Sequence, residues 1–150
     1  FEPTADILVK TSNLKGITLN TKLVANMIDE MPAFFIAAAL AEGTTKVKDA
    51  KELRAKESDR LQAMSEVLEA FGAKSHLNGD GIVINGLGKD GVFNPSKINS
   101  HGDHRIAMAS SIASLRANGE TTITDCNNVN TSFPNFIDVS REAGINIVET

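Results

Sequence analysis

Five consecutive residues, His101-Gly102-Asp103-His104-Arg105, gather two imidazoles, a carboxylate and a guanidinium around a glycine, directly before the apolar segment 106–115. A metal site is one reading of such a cluster. Against it, two histidines three apart beside one carboxylate lack the HExxH spacing, and the single Cys126 adds no CxxC pair. An anion site uses more of the residues, because the guanidinium of Arg105 matches the fork of a carboxylate or phosphate. Helix capping explains Asp103 and leaves both histidines and Arg105 without a task.

A second run, Lys56-Glu57-Ser58-Asp59-Arg60, places two cations four positions apart, on one side of an expected helix start, with Glu57 one position round. Lys56 and Arg60 could hold a phosphate or carboxylate while Glu57 moves a proton. The competing reading is a solvated helix start whose local ion pair is worth about 1 kcal/mol at most, and composition alone favours it. Asp29 precedes an Ala-rich apolar segment, either as an acid stabilised by the helix dipole or as a general base with a cation nearby. His76 receives no role, and Met27, Met31, Met64 and Met108 read as core filling.

These residues need elements to hold them. Short strands are expected at 7–10 and 17–20, forming a hairpin across Thr11-Ser12-Asn13 and Gly16. A buried helix follows over 29–42, with Pro32 near its start and Gly43 as its stop, and then a strand over 44–49. A second helix runs from about Ser58 to Phe71, where Leu61, Met64, Val67, Leu68 and Phe71 make a core stripe and Gly72 ends it. Strands at 74–77 and 82–85 flank Asn78-Gly79-Asp80-Gly81, a hairpin signal because Asn and Gly accept positive φ.

The second half repeats the plan. A shift of 76 sets Gly43 on Gly119, Asp49 on Asp125, Ile36 on Ile112 and Asp29 on Arg105; a shift of 72 then sets Gly72 on Gly144 and Leu61 on Phe133. The chain therefore reads as a duplicated βαβαββ-like unit, an α/β protein. Its distinctive polar residues collect at helix starts: Asp29, then 56–60, then 101–105, then 130–132 before a fourth helix. Helix N-termini brought together form an anion site, since their unpaired N–H groups and positive dipole ends converge.

Composition narrows the function classes. At 150 residues, 41% hydrophobic and 23% charged, the chain is an ordinary globular sequence with room for one core. A net charge of -4 offers no general positive field for nucleic acid, and the absence of Trp and Tyr weakens base stacking. No apolar run reaches the roughly 18 residues of a membrane span, and no signal peptide is visible. One lone cysteine gives no disulfide, so the cytoplasm is the default expectation. A first residue of Phe1 in place of Met suits a piece of a longer chain.

Three motifs in order, Ala55-Lys56-Glu57-Ser58-Asp59-Arg60-Leu61, Gly102-Asp103-His104-Arg105-Ile106-Ala107-Met108-Ala109 and Thr131-Ser132-Phe133-Pro134, resemble the 5-enolpyruvylshikimate-3-phosphate synthase family, the 3-phosphoshikimate 1-carboxyvinyltransferases. The resemblance covers essentially the whole chain but only about the C-terminal third of a family member. It implies an inside-out α/β barrel of βαβαββ units, helices inside and sheets outside. About two of the three units of a C-terminal domain would be present, and the N-terminal domain absent.

The implied reaction moves the carboxyvinyl group of phosphoenolpyruvate to the 5-hydroxyl of shikimate 3-phosphate, releasing phosphate, in aromatic amino acid biosynthesis. No metal or organic cofactor is implied. By the same resemblance Asp29 takes the proton of the attacking hydroxyl, Glu57 delivers and later removes a proton at the methylene, and Lys56, a catalytic candidate with them, contacts the reacting centre as well as shikimate 3-phosphate, which Asp29 also binds. Arg60 and Arg105 bind phosphoenolpyruvate. Asp103, His104 and Thr131 stand behind them as supporting candidates; one branch of the family has a lysine where this chain has Thr131. The missing domain is an implied partner, and the piece alone is expected to be nearly inactive. Two rivals remain: the sister enzyme acting on a UDP-sugar, which lacks the first two motifs, and a non-catalytic docking module.

Overall fold

The computed structural model describes residues 3–150. Its elements, in chain order, are α1 (Thr21–Val24), α2 (Met31–Ala39), β1 (Thr44–Val47), α3 (Arg60–Ala70), β2 (Lys74–Asn78), β3 (Gly81–Asn85), β4 (Lys97–Asn99), α4 (His104–Ser114), β5 (Thr122–Thr124), α5 (Val129–Ser132) and α6 (Phe136–Glu142). Single 3-10 turns at Ala25–Met27 and Lys51–Ala55 lead towards α2 and α3.

Helices α2, α3 and α4 pack on one another, and the sheets lie against their other sides. One sheet has the order β1-β3-β2 and is antiparallel throughout; β4 and β5 form a separate parallel pair. The α3 stripe is fully inside: Leu61, Met64, Leu68 and Phe71 are completely buried and Val67 nearly so. On α2, Met31 and Phe35 are completely buried, while Phe34 and Leu40 pack against the core edge. Met64 also fills the core as expected, but Met108 lines a groove between α2 and α4. The Phe71 and Phe93 rings, with centroids 5.0 Å apart, tie the end of α3 to the entry of the second unit.

The duplication is written into the backbone. Asp49 and Asp125, related by the shift of 76, both adopt left-handed conformations, with φ 56° and 62°. Gly72 and Gly144 match in the same way, at φ 83° and 89°. At Gly72 this conformation lets the N–H groups of Gly72 and Ala73 bond back to the carbonyls of Glu69 and Leu68, closing α3. Parallel pairing also recurs: 15–19 lies beside β1 as β4 lies beside β5. The first unit runs on through β2 and β3, whereas the second reaches only its second helix, α6.

Several expectations need correction. The hairpin of 7–10 with 17–20 does not form. Ile7, Leu8 and Val9 remain 79–86% exposed, and the segment 15–19 instead pairs parallel with β1, the N–H of Leu19 donating to the Lys46 carbonyl at 2.9 Å. That choice buries Leu19 in the core, where an isolated two-stranded ribbon would bury little. Gly16 permits the approach, since a Cβ there would collide with the Thr44 backbone. The strand at 44–49 stops at Val47, and Asp49 turns away with positive φ. The helix expected over 29–42 is shorter, leaving Asp29 just outside α2. The fourth helix is two, α5 and α6, separated across Pro134.

Candidate active site

Lys56 and Glu57 are not on α3. Asp59 is the N-cap, its side chain accepting from the Gln62 N–H at 3.0 Å, so the helix begins at Arg60 and Lys56 is extended. The expected shared helical face of Lys56 and Arg60 is therefore replaced by a loop. That loop is fastened by Arg54, which donates to Asp59 at 2.6 Å and to the Gly79 carbonyl at 2.8 Å. Asp29 sits in the turn before α2, one residue ahead of its N-cap Glu30. Asp103 caps α4 by accepting from the Arg105 N–H at 3.0 Å. Three of the four expected polar helix starts thus meet; the fourth, 130–132, lies within the short α5, and among the described residues no side-chain bond ties it to the others.

Arg60 is the hub. Its side chain is only 3% exposed, and its Nε donates to Asp103 Oδ2 at 2.8 Å. Nη1 donates to Asp29 Oδ1 at 2.9 Å, and Nη2 lies 3.3 Å from Glu57 Oε2. Asp29 gathers two more cations: Lys56 Nζ at 3.7 Å and Arg105 Nη2 at 3.6 Å. Arg105 Nη1 also donates to the Asp29 carbonyl at 2.9 Å and lies 3.7 Å from Glu30. Residues equivalent under the duplication, one acid and one base, have thus come into contact.

The electrostatics follow from these partners. The Arg60 hydrogen bond, helped by the charges of Arg105 and Lys56, outweighs partial burial and holds the Asp29 carboxyl below its usual range. Burial pushes Asp103 the other way, but the bonds from Arg60, Ser58 and the Arg105 N–H overcome it, so this carboxyl too is lowered. Burial works against the Arg60 charge, yet Asp103, Asp29 and Glu57 together leave its pKa raised. Both acids stay ionised and Arg60 stays charged.

Glu57, Asp103 and His104 also place one ligand atom each within 4.8 Å of one another. His104 Nδ1 is 3.0 Å from Glu57 Oε2. A guanidinium nevertheless binds two of the three members, with Arg60 on both Glu57 and Asp103, and a positive ion would have to share them. The donor set suits cationic side chains better than a metal.

Asp29, Lys56, Glu57, Arg60, Asp103, His104 and Arg105 join this cluster; His101 does not, its Nε2 lying 3.4 Å from Glu66 on an exposed edge, and neither does Thr131. Thr131 is exposed on α5, and among the described residues no side-chain bond links it to the others. Asp29 and Arg105 line a cavity of about 220 Å³ between α2 and α4, together with Glu30, Pro32, Ala33, Ile36, Met108, Ala109 and Ile112. Glu57 does not line it; it joins through Arg60 and His104. Sequence reasoning missed Ser58, whose hydroxyl donates to Asp103 Oδ2 at 3.0 Å. Its signal was its place inside the charged run.

The fold defines a class. A solved enolpyruvyl transferase, NikO from Streptomyces tendae, matches 95% of the chain with a TM-score of 0.71 at 19% identity, covering 30% of that protein. An EPSP synthase structure from Acinetobacter baumannii matches 89% with a TM-score of 0.85 and 46% identity, covering 31% of it. The architecture is that of the enolpyruvyl transferases.

A family model for EPSP synthase (3-phosphoshikimate 1-carboxyvinyltransferase) matches residues 1–139, and the chain belongs to that family. Its relatives include the 3-phosphoshikimate 1-carboxyvinyltransferases of Hydrogenovibrio crunogenus, 49% identical over 97% of the chain, and of Coxiella burnetii, 45% identical over 97%. The chain spans 32% of the length of each.

Proposed function

We propose that residues 1–150 are an incomplete C-terminal domain of an enzyme that transfers the carboxyvinyl group of phosphoenolpyruvate to the 5-hydroxyl of shikimate 3-phosphate, releasing phosphate. Family membership supports the reaction class. The observation that carries the residue assignment is the Asp29 carboxylate, met by Lys56, Arg60 and Arg105, with Glu57 on the same guanidinium. Both substrates are anions, and this corner joins cations to the starts of three helices. The N-terminal domain supplies the remaining contacts, and the cytoplasm is the proposed setting. Among the described residues no helix is long and apolar enough to cross a membrane.

Arg105 and Arg60 bind phosphoenolpyruvate and fix its orientation, while Lys56 neutralises shikimate 3-phosphate beside Asp29. Asp29, ionised, accepts the proton of the 5-hydroxyl as its oxygen attacks the carbon bearing the phosphate. Glu57 delivers a proton to the methylene, which becomes a methyl group in the tetrahedral ketal. Glu57 then takes a proton back from that methyl as the carbon–oxygen bond to phosphate breaks and the vinyl ether forms. The hydroxyl proton held by Asp29 passes to the departing phosphate, so both acids return to their starting states and the atoms balance without a metal or an organic cofactor.

The test is phosphate release by the full-length protein carrying this chain. Release from phosphoenolpyruvate that depends on shikimate 3-phosphate is expected. No release with that acceptor, but release with a UDP-sugar, would move the protein to the sister activity; failure to bind shikimate 3-phosphate at all would leave a docking module.

A further inference from the structure

Arg60 presents two edges with different partners. The inner edge faces Asp103, which is wholly buried and accepts from Nε at 2.8 Å, with Nη2 3.4 Å from its other oxygen. The outer edge faces Asp29 and Glu57, whose side chains are 42% and 45% exposed. A carboxylate with no exposed surface, already holding the Ser58 hydroxyl and the Arg105 N–H, cannot leave without stranding a buried charge. The two half-exposed acids can be exchanged for another anion.

We infer that Asp103, itself held by Ser58, is a positioning residue that fixes Arg60 by its inner edge, so that an arriving phosphoenolpyruvate anion displaces Asp29 and Glu57 from the outer edge and frees both for proton transfer. This rests on the reaction proposed above. Asp103 touches no substrate; it acts through the guanidinium. Its cap on α4 also sets the start of the helix that carries Arg105, so one carboxylate aligns both arginines.

The experiment is a cycle in the full-length enzyme with Asp103→Asn, Arg60→Lys and the double variant, reading KM for each substrate and kcat. Asp103→Asn is expected to raise KM for phosphoenolpyruvate about tenfold while KM for shikimate 3-phosphate stays within about twofold. In the Arg60→Lys background the same change should add no more than about twofold, because the group it positions is gone. Ser58→Ala should move KM for phosphoenolpyruvate the same way by about threefold and keeps the test alive if Asp103→Asn does not fold.

Equal rises in both KM values, full additivity with Arg60→Lys, an unaffected KM in a folded Asp103→Asn, or, where that variant does not fold, an unchanged KM for phosphoenolpyruvate in Ser58→Ala would each overturn the inference. An unaltered enzyme without turnover would instead sink the reaction itself, so the two failures are distinct.

Discussion

At the scale of single residues the site is crowded with opposite charges that already satisfy one another. Asp29 is the clearest case, since its carboxyl is kept ionised mainly by Arg60 and then by Arg105 and Lys56. An ionised carboxylate can accept a proton only from a donor brought within hydrogen-bond reach, which is what a bound hydroxyl supplies. Asp29→Asn in the full-length protein is therefore expected to lower kcat by about a hundredfold or more. Phosphoenolpyruvate affinity should hold or improve, because Arg60 Nη1 loses a competing acid. Kinetics with a parallel binding titration reads both quantities, and a loss of affinity with kcat intact would remove Asp29 from proton transfer. His104 has a different place: 11% exposed and 3.0 Å from Glu57, it holds the carboxylate that would work at the methylene.

At the scale of elements, α3 and α4 are joined at their N-terminal ends by the buried Arg60–Asp103 pair, while apolar packing joins them further along. The pair makes stability depend on acidity in a known direction. Asp103 and Asp29 have folded-state pKa values below the unfolded value of 3.8, so their contribution is present above that value and is lost as pH falls through the lowered folded ones. A thermal melt should show the midpoint of the unaltered protein falling more steeply below about pH 4 than that of Asp103→Asn. Removing the carboxylate outright, in Asp103→Ala, should cost up to about 3 kcal/mol in chemical denaturation, since the buried inner edge of Arg60 loses its partner while Asp29 and Glu57 still offset its charge from the outer edge. A midpoint that follows the same pH course in both proteins would show that the pair does not couple the helices. The stripe of α3 and the Asn78-Gly79-Asp80-Gly81 turn were legible because spacing and positive φ are properties of short windows. The start of α3 was not. Ser58 and Asp59 are both cap formers; Asp59 takes the cap, and the Ser58 hydroxyl turns instead to Asp103, 45 residues away. The same distance hid the larger role of Asp103, which reads locally as a cap and nothing more. The first strand failed for a related reason: the alternation at 7–10 and 17–20 is real, but it cannot say which neighbour a strand will choose.

At the scale of the whole molecule, the duplicated units leave apolar surface that these 150 residues do not cover. Ile7, Leu8 and Val9 are consecutive and 79–86% exposed, and among the described residues their backbone has no ladder partner. The groove between α2 and α4 is lined by pairs that the shift of 76 relates, Pro32 with Met108, Ala33 with Ala109 and Ile36 with Ile112, and Ile112 is 47% exposed. Relatives are about three times as long, and in the proposed enzyme the additional chain is expected to cover this surface. Prepared alone, the 150-residue chain should self-associate, because an unpaired apolar strand recruits another copy of itself. Sedimentation velocity over rising concentration would show a species that grows, and Leu8→Lys together with Val9→Lys would return it to the monomer by placing charge on both faces of the strand. If the additional chain covers the segment, the same double change in the full-length protein should lower its melting midpoint. A monomer at every concentration without the substitutions, or a full-length midpoint indifferent to them, would mean that the exposed apolar segment is tolerated by this fold and that the extra length of its relatives serves the site without covering this segment.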